Sequence, residues 1–147
     1  MNRNTRKSTV RTFGSHTATM HVDGAARGNP GPAAFAFVIV RPGLPLVTVA
    51  EVFGDATNNV AEYMALVRGL EAAADLGLFR LTVFSDSELV VKQMNGEYRV
   101  RHPELIRLRK RARELRKEFV SVPIIHVRRE NNLRADALCN EALDDES

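Results

Sequence analysis

The sequence predicts an α/β fold, a mixed sheet with helices packed on its faces. Three observations carry this. Strand-length apolar runs and helix-period segments follow one another in the order β-β-β-α-β-α-α-β-α. The first three strands are joined by short turns, which implies an antiparallel meander. The fourth and fifth strands are each reached through helices, the kind of connection that parallel strands need.

TATMHVDGA, residues 17 to 25, reads as a first strand broken at Gly24, before the turn-rich RGNPGP. AAFAFVIV and LVTVAEVF follow as strands two and three, separated by a turn at RPGLP. The spacing then predicts a helix over 58 to 76, because Ala61, Ala65, Leu66, Val67, Leu70, Ala73, Ala74 and Leu76 recur at three- and four-residue steps. Asn58 or Asn59 is expected to cap it and Gly77 to end it. RLTVFSDS supplies a fourth strand, and SELVVKQMNG a short helix closed by Asn95 and Gly96. Residues 103 to 119 form a long helix with the seam Leu105, Leu108, Ala112, Leu115 and Phe119. VPIIHV is a fifth strand and NLRADALCNEAL a last helix.

With 147 residues, 44% of them apolar and 27% charged, the chain is sized for one domain with an ordinary core, spanning residues 17 to 147. Residues 1 to 16 are basic and hydroxyl-rich with no acid, and read as a disordered tail whose composition overlaps that of an organellar transit peptide. No apolar run reaches the ~18 residues of a membrane span. The single cysteine, Cys139, excludes an internal disulfide and any cysteine-rich zinc site, so a reducing, cytoplasmic setting is expected. The net charge of +3 is unevenly placed: residues 99 to 117 hold nine Lys and Arg against two Glu, either a surface for a polyanion or a solvated helix face.

Four acids stand where the chain changes structure. Asp23 ends the first strand, Asp86 follows the fourth, Asp136 lies early in the last helix, and Glu62 sits on or beside the buried stripe of the first helix. Singly, Asp23 can be a turn residue, Asp86 a helix cap and Asp136 a solvent-facing side chain. Glu62 has no such simple account, because an inward carboxylate needs a basic partner, water or a metal. Strands one and four would be the first parallel neighbours, which sets Asp23 beside Asp86 at the carboxyl edge where ligands collect. Oxygen-only ligands favour a hard ion such as Mg²⁺ or Mn²⁺.

These residues also carry a family resemblance. VDGAARGNPGP with Asp23, TNNVAE with Glu62, SDS with Asp86 and RRENNLRADALCNEAL with Asp136 together resemble the four blocks of type 1 ribonuclease H, in order and over essentially all of the chain after the tail. The resemblance implies a ribonuclease H-like fold: a five-stranded mixed sheet, three antiparallel then two parallel strands, with helices on both faces. It implies hydrolysis of the RNA strand of RNA/DNA hybrids with little sequence preference, leaving 5′-phosphate and 3′-hydroxyl ends. It further implies two Mg²⁺ (or Mn²⁺) ions held by Asp23, Glu62, Asp86 and Asp136, with Asp23 bridging them, and a monomer whose partner is the hybrid.

By the same resemblance, Asn29, Asn59 and Glu88 line the minor-groove side, Thr57 seats a DNA-strand phosphate, and Asn58, Arg128 and Arg129 are expected among the substrate-binding residues; Asn58 and Asn59 are also the capping candidates. Glu88 departs from the amide familiar at its position. NGEYRVRHPEL is too short for the basic protrusion of many relatives, and the arginines of helix 103–119 are expected to substitute for part of it. Many relatives carry a flexible histidine before the last aspartate. His126 falls in strand five, which leaves Arg128 or Arg129 for that role. A binding module without turnover and a DNA-directed nuclease or integrase of the same fold are the competing readings.

Overall fold

Met20 and Val22 alternate with Thr19 and His21 along Thr17–Ala26 (β1), so one face of this strand is apolar and fully buried. It is the centre of the sheet. Gly31–Val40 (β2) pairs with it antiparallel, and Val47–Ala56 (β3) pairs antiparallel with β2, with an irregularity beside Ala33/Ala34 where Phe53 is the extra residue. On the other side of β1 lie Arg80–Ser85 (β4) and then Ile124–His126 (β5), both parallel. The strand order is β3-β2-β1-β4-β5, so the meander and the parallel half meet at β1. The computed structural model describes residues 16 to 146; the expected N-terminal tail lies outside the described residues except for His16, whose ring stacks on Phe79.

One face of the sheet is covered by Asn58–Asp75 (α1), Glu88–Met94 (α2) and Pro103–Arg116 (α3). Phe35, Phe37 and Ile39 of β2 meet Leu66 and Leu70 of α1 in this larger core, which also takes the expected α3 seam, Leu105, Leu108, Ala112 and Leu115. Burying each such Leu or Phe contributes about 1.5–3 kcal/mol. Leu133–Asp145 (α4) packs on the opposite face, where Cys139 and Leu143 meet Ala34 and Ala36. Small strand side chains let this helix sit close, and the Cys139 thiol, pushed up to about 12 chiefly by burial, stays protonated and donates to the Ala34 carbonyl at 3.3 Å.

Several expectations are corrected here. Gly24 does not break β1, which continues to Ala26. Thr57, not Asn58 or Asn59, caps α1: its hydroxyl accepts from the Val60 amide at 3.2 Å. Leu76 is exposed beyond the end of that helix, which Gly77 terminates in the left-handed region at φ +76. α3 stops at Arg116, because residues 117 to 119 tighten into a turn that still delivers Phe119 to the core. β5 is shorter than its apolar run, and His126 is its last residue, exposed to solvent.

A buried polar joint ties α1, α2 and α3 together. The Tyr63 hydroxyl, its pKa pushed up to about 12 by burial, donates to Gln93 Oε1 at 2.7 Å. Gln93 Nε2 donates to the Arg99 carbonyl, and Arg109 Nε donates to the Gln93 carbonyl at 3.0 Å. Arg116 donates to the carbonyls of Met94 and, at 2.8 Å, Val122. Two of the basic residues of α3 are therefore structural staples rather than a free cationic surface.

Candidate active site

The parallel pairing of β1 with β4 places Val22 opposite Ser85, and the next residues on the two strands are Asp23 and Asp86. Asp86 follows the last residue of β4, as the sequence predicts, but Asp23 does not end its strand: it lies inside β1, still paired with Ala36 of β2, and meets Asp86 where β4 stops. Glu62 reaches them from α1 because Gly24 has no side chain. A Cβ on Gly24 would overlap the Ala61 carbonyl and lie 2.5 Å from the Glu62 nitrogen, so this glycine is what allows strand and helix to touch. The contact is sealed by the Gly24 amide, which donates to Glu62 Oε1 at 2.9 Å. The glycine read from sequence as a strand break is thus the close-approach point of the site.

One carboxylate oxygen each from Asp23, Glu62 and Asp86 lies within 4.8 Å of the others. Asp23 is only 5% exposed. Among the described residues, none of these three acids is ion-paired with a basic side chain. Burial, then Asp86 and Asp136, push Asp23 up to about 8. Burial and then Asp23 and Asp86 hold Glu62 well above the usual carboxylate range. Asp86 is raised too, first by burial and then by Asp136, against the opposing pull of Arg129 and the Asn132 amide. Convergent, desolvated oxygens with no basic partner fit a hard divalent cation: such a donor set is repelled without one and satisfied with one.

Asp136 stands at the rim. It lies in the first turn of α4, and Arg129 Nη2 reaches its two oxygens at 3.3 and 3.5 Å. Its inward placement follows from Ala135, Cys139 and Leu143, the buried line of α4, whereas Leu133 at the start of the helix is 61% exposed. Arg129 belongs to a single 3-10 turn, Arg129–Asn131, between β5 and α4. Asn132 closes that turn. It is 1% exposed, its Nδ2 donates to the Val22 carbonyl at 2.8 Å, and its amide also supports Asp86. Sequence reasoning missed both Gly24 and Asn132 as parts of the site. An asparagine ahead of a helix signals only a cap, yet Asn132 makes no side-chain capping bond.

The residues expected to bind substrate divide. Asn29 Oδ1 accepts from the Asn58 amide at 3.0 Å, and Asn58 Oδ1 accepts from the Ala26 amide at 2.9 Å, so these two lash the β1–β2 turn to the start of α1. Asn29, Thr57 and Asn59 line one small depression with His102 and Leu105. His102 Nδ1 caps α3 by accepting from the Glu104 amide. Glu88 opens α2 and pairs with Lys92 at 3.1 Å. Arg128 is exposed ahead of the 3-10 turn and is not brought to the acids; Arg129 is.

Comparison with known proteins gives concordant results. Residues 21–142 match the family model described as Reverse transcriptase-like. The chain is 51% identical over 126 residues to a ribonuclease HI of Halobacterium salinarum, covering 85% of this chain and 63% of that protein. It is 41% identical over 127 residues to a bifunctional protein of Mycobacterium tuberculosis, covering 85% of this chain and 35% of the other. It thus spans less than two thirds of these curated relatives. Among solved structures, RNase H1 from Halobacterium salinarum superposes with a TM-score of 0.84 at 49% identity, covering 88% of this chain and 98% of that one. LC11-RNase H1 in complex with RNA/DNA hybrid superposes at 0.82 and 38% identity, covering 88% and 99%.

Proposed function

Because this chain belongs to the type 1 ribonuclease H family, we propose that it is an endonuclease that hydrolyses the RNA strand of RNA/DNA hybrids, leaving 5′-phosphate and 3′-hydroxyl ends. The observation that carries the reading is the convergence of Asp23, Glu62 and Asp86 without a basic partner, at the carboxyl edge of two parallel strands. A relative of the same fold has been crystallised on RNA/DNA hybrid, which supports the substrate class.

Asp23, Glu62 and Asp86 would hold one Mg²⁺ or Mn²⁺ ion, and Asp136 with Asp23 a second. Ions at these places supply an oriented, more acidic water on one side of the scissile phosphate and charge neutralisation of the departing 3′ oxygen on the other. The chain's own part is positional. Gly24 sets Glu62 against Asp23, Asn132 is anchored to the Val22 carbonyl of β1 beside Asp86, and burial keeps the carboxylates in a medium where their charge acts at short range. In this reading Asn29, Thr57 and Asn59 receive the sugar-phosphate backbone and minor groove beside the acids, Glu88 borders the groove, and Arg128 and Arg129 approach phosphate. Hybrid is then told from other duplexes by 2′-hydroxyls on one strand and deoxyribose on the other, with little sequence information. The reading includes a monomer in the cytoplasm; among the described residues, no helix is long and apolar enough to cross a membrane.

The test presents one end-labelled strand as RNA/DNA hybrid, RNA duplex, DNA duplex and single-stranded RNA, with Mg²⁺, Mn²⁺ or chelator. Cutting confined to the RNA of the hybrid, and abolished by chelator, is the expected result. Binding of hybrid without cutting in either metal would reduce the protein to a binding module. Cleavage of the DNA duplex would move it to the DNA-directed nucleases of this fold.

A further inference from the structure

The four acids are not equivalent in charge environment. Asp23, Glu62 and Asp86 converge without a basic partner, whereas Asp136 already carries a cation, Arg129. That pair is loose. A single nitrogen straddles both carboxylate oxygens at 3.3 and 3.5 Å, without the two parallel bonds of a fork-on-fork pair. The Arg129 side chain is 72% exposed, that of Asp136 21%, and the guanidinium has no other hydrogen bond among the described residues. It sits on a three-residue turn at the rim of the acid cleft, close enough for its charge also to act on Asp86. An exposed pair of this geometry is weak, and a divalent ion outcompetes it for a carboxylate.

We propose that Arg129 is a displaceable internal counter-ion of Asp136, competing with the second metal ion for that carboxylate until the substrate phosphate draws the guanidinium away. This rests on the metal-site reading given above. The three unpaired acids take an ion without competition. The Asp136 side admits one only as Arg129 leaves, which frees the guanidinium to pair with the substrate phosphate. Arg129 is a positioning residue in this scheme: it holds the Asp136 carboxylate in place at the rim and competes there with a second ion in the free enzyme.

Mn²⁺ binding to the full chain without nucleic acid, followed by titration calorimetry and by the paramagnetic signal of free Mn²⁺, tests this. Arg129→Ala is expected to tighten the weaker Mn²⁺ event about two- to fivefold, the scale of losing one exposed competing charge. Adding Asp136→Asn to Arg129→Ala should abolish that gain, while Arg129→Lys and Arg128→Ala keep the wild-type isotherm. A gain that survives Asp136→Asn is general electrostatics and overturns the proposal, as does an unchanged Arg129→Ala isotherm. If the wild type binds no Mn²⁺ and matches Asp86→Asn, the metal-site reading fails with it. If Asp86→Asn removes the tight event but Arg129→Ala changes nothing, only the counter-ion role fails.

Discussion

Replacing Gly24 by alanine adds one methyl group where β1 touches α1. That methyl would overlap the Ala61 carbonyl and come within 2.5 Å of the Glu62 nitrogen, both backbone atoms that cannot rotate away. β1 is fixed between β2 and β4, so the first turn of α1 must retreat, by roughly 1 Å, to restore ordinary contact. Overpacking of this kind costs about 1–3 kcal/mol, and stretching the Gly24 amide bond to Glu62 adds about 1 kcal/mol more. A total near 3 kcal/mol lowers the melting midpoint of a domain this size by roughly 10 °C. Glu62 moves with the turn, and a misplacement of about 1 Å in a catalytic group costs on the order of a hundredfold in rate. The assay is a thermal melt with Mn²⁺ titration, beside Gly69→Ala as control. There the added methyl meets the far end of the Met20 side chain, at 2.7 and 2.8 Å, and Phe37 Cβ at an ordinary 3.5 Å, with no backbone in the way, so a smaller loss than at Gly24 and unaltered Mn²⁺ affinity are expected. A Gly24→Ala protein that melts within a few degrees of wild type and binds Mn²⁺ equally well would refute the close-approach role.

Three further outcomes are expected. Asp86→Asn should keep its fold, retain hybrid binding in Ca²⁺ and lose nearly all cleavage; full activity in that variant would reject its place at the metal. In chelator the wild type should lose stability as pH rises from about 4 to about 8. Asp23 has a folded pKa raised to about 8, so across that window the unfolded chain releases a proton that the folded chain retains, and Mg²⁺ should cancel the loss; chelated melts flat between pH 5 and 8 would contradict it. The basic helix should split in two. Arg116→Ala should cost about 2 kcal/mol through two orphaned carbonyls, whereas neutralising the exposed Lys110, Arg113 and Lys117 should leave the melt unchanged and flatten the salt dependence of hybrid binding, a result that equal salt slopes would exclude.

What the sequence discloses and what it hides follow one physical distinction. The order of elements is legible because each segment repeats its period locally: two along β1 to β4, three and four along α1 and α3. The acids are legible because they break local rules. Glu62 intrudes on an apolar stripe, and that intrusion has no explanation within its own helix. The groups that hold those acids obey local rules and so pass unnoticed. Gly24 looks like a strand end, and only Ala61, on another element, shows that a missing side chain is the point. Asn58 looks like a cap, but its side chain is taken by Ala26, so the cap passes to Thr57. Charge is equally ambiguous in sequence, since Arg109 and Arg113 are alike until the Gln93 carbonyl claims one of them. Arg129 is the sharpest instance: in RRENN it cannot be told from Arg128, and only the turn that carries it onto Asp136 separates a rim cation from its neighbour. The supporting residues are defined by partners distant in the chain, and for that reason the predictions that discriminate best here perturb Gly24 and Arg129 rather than the acids themselves.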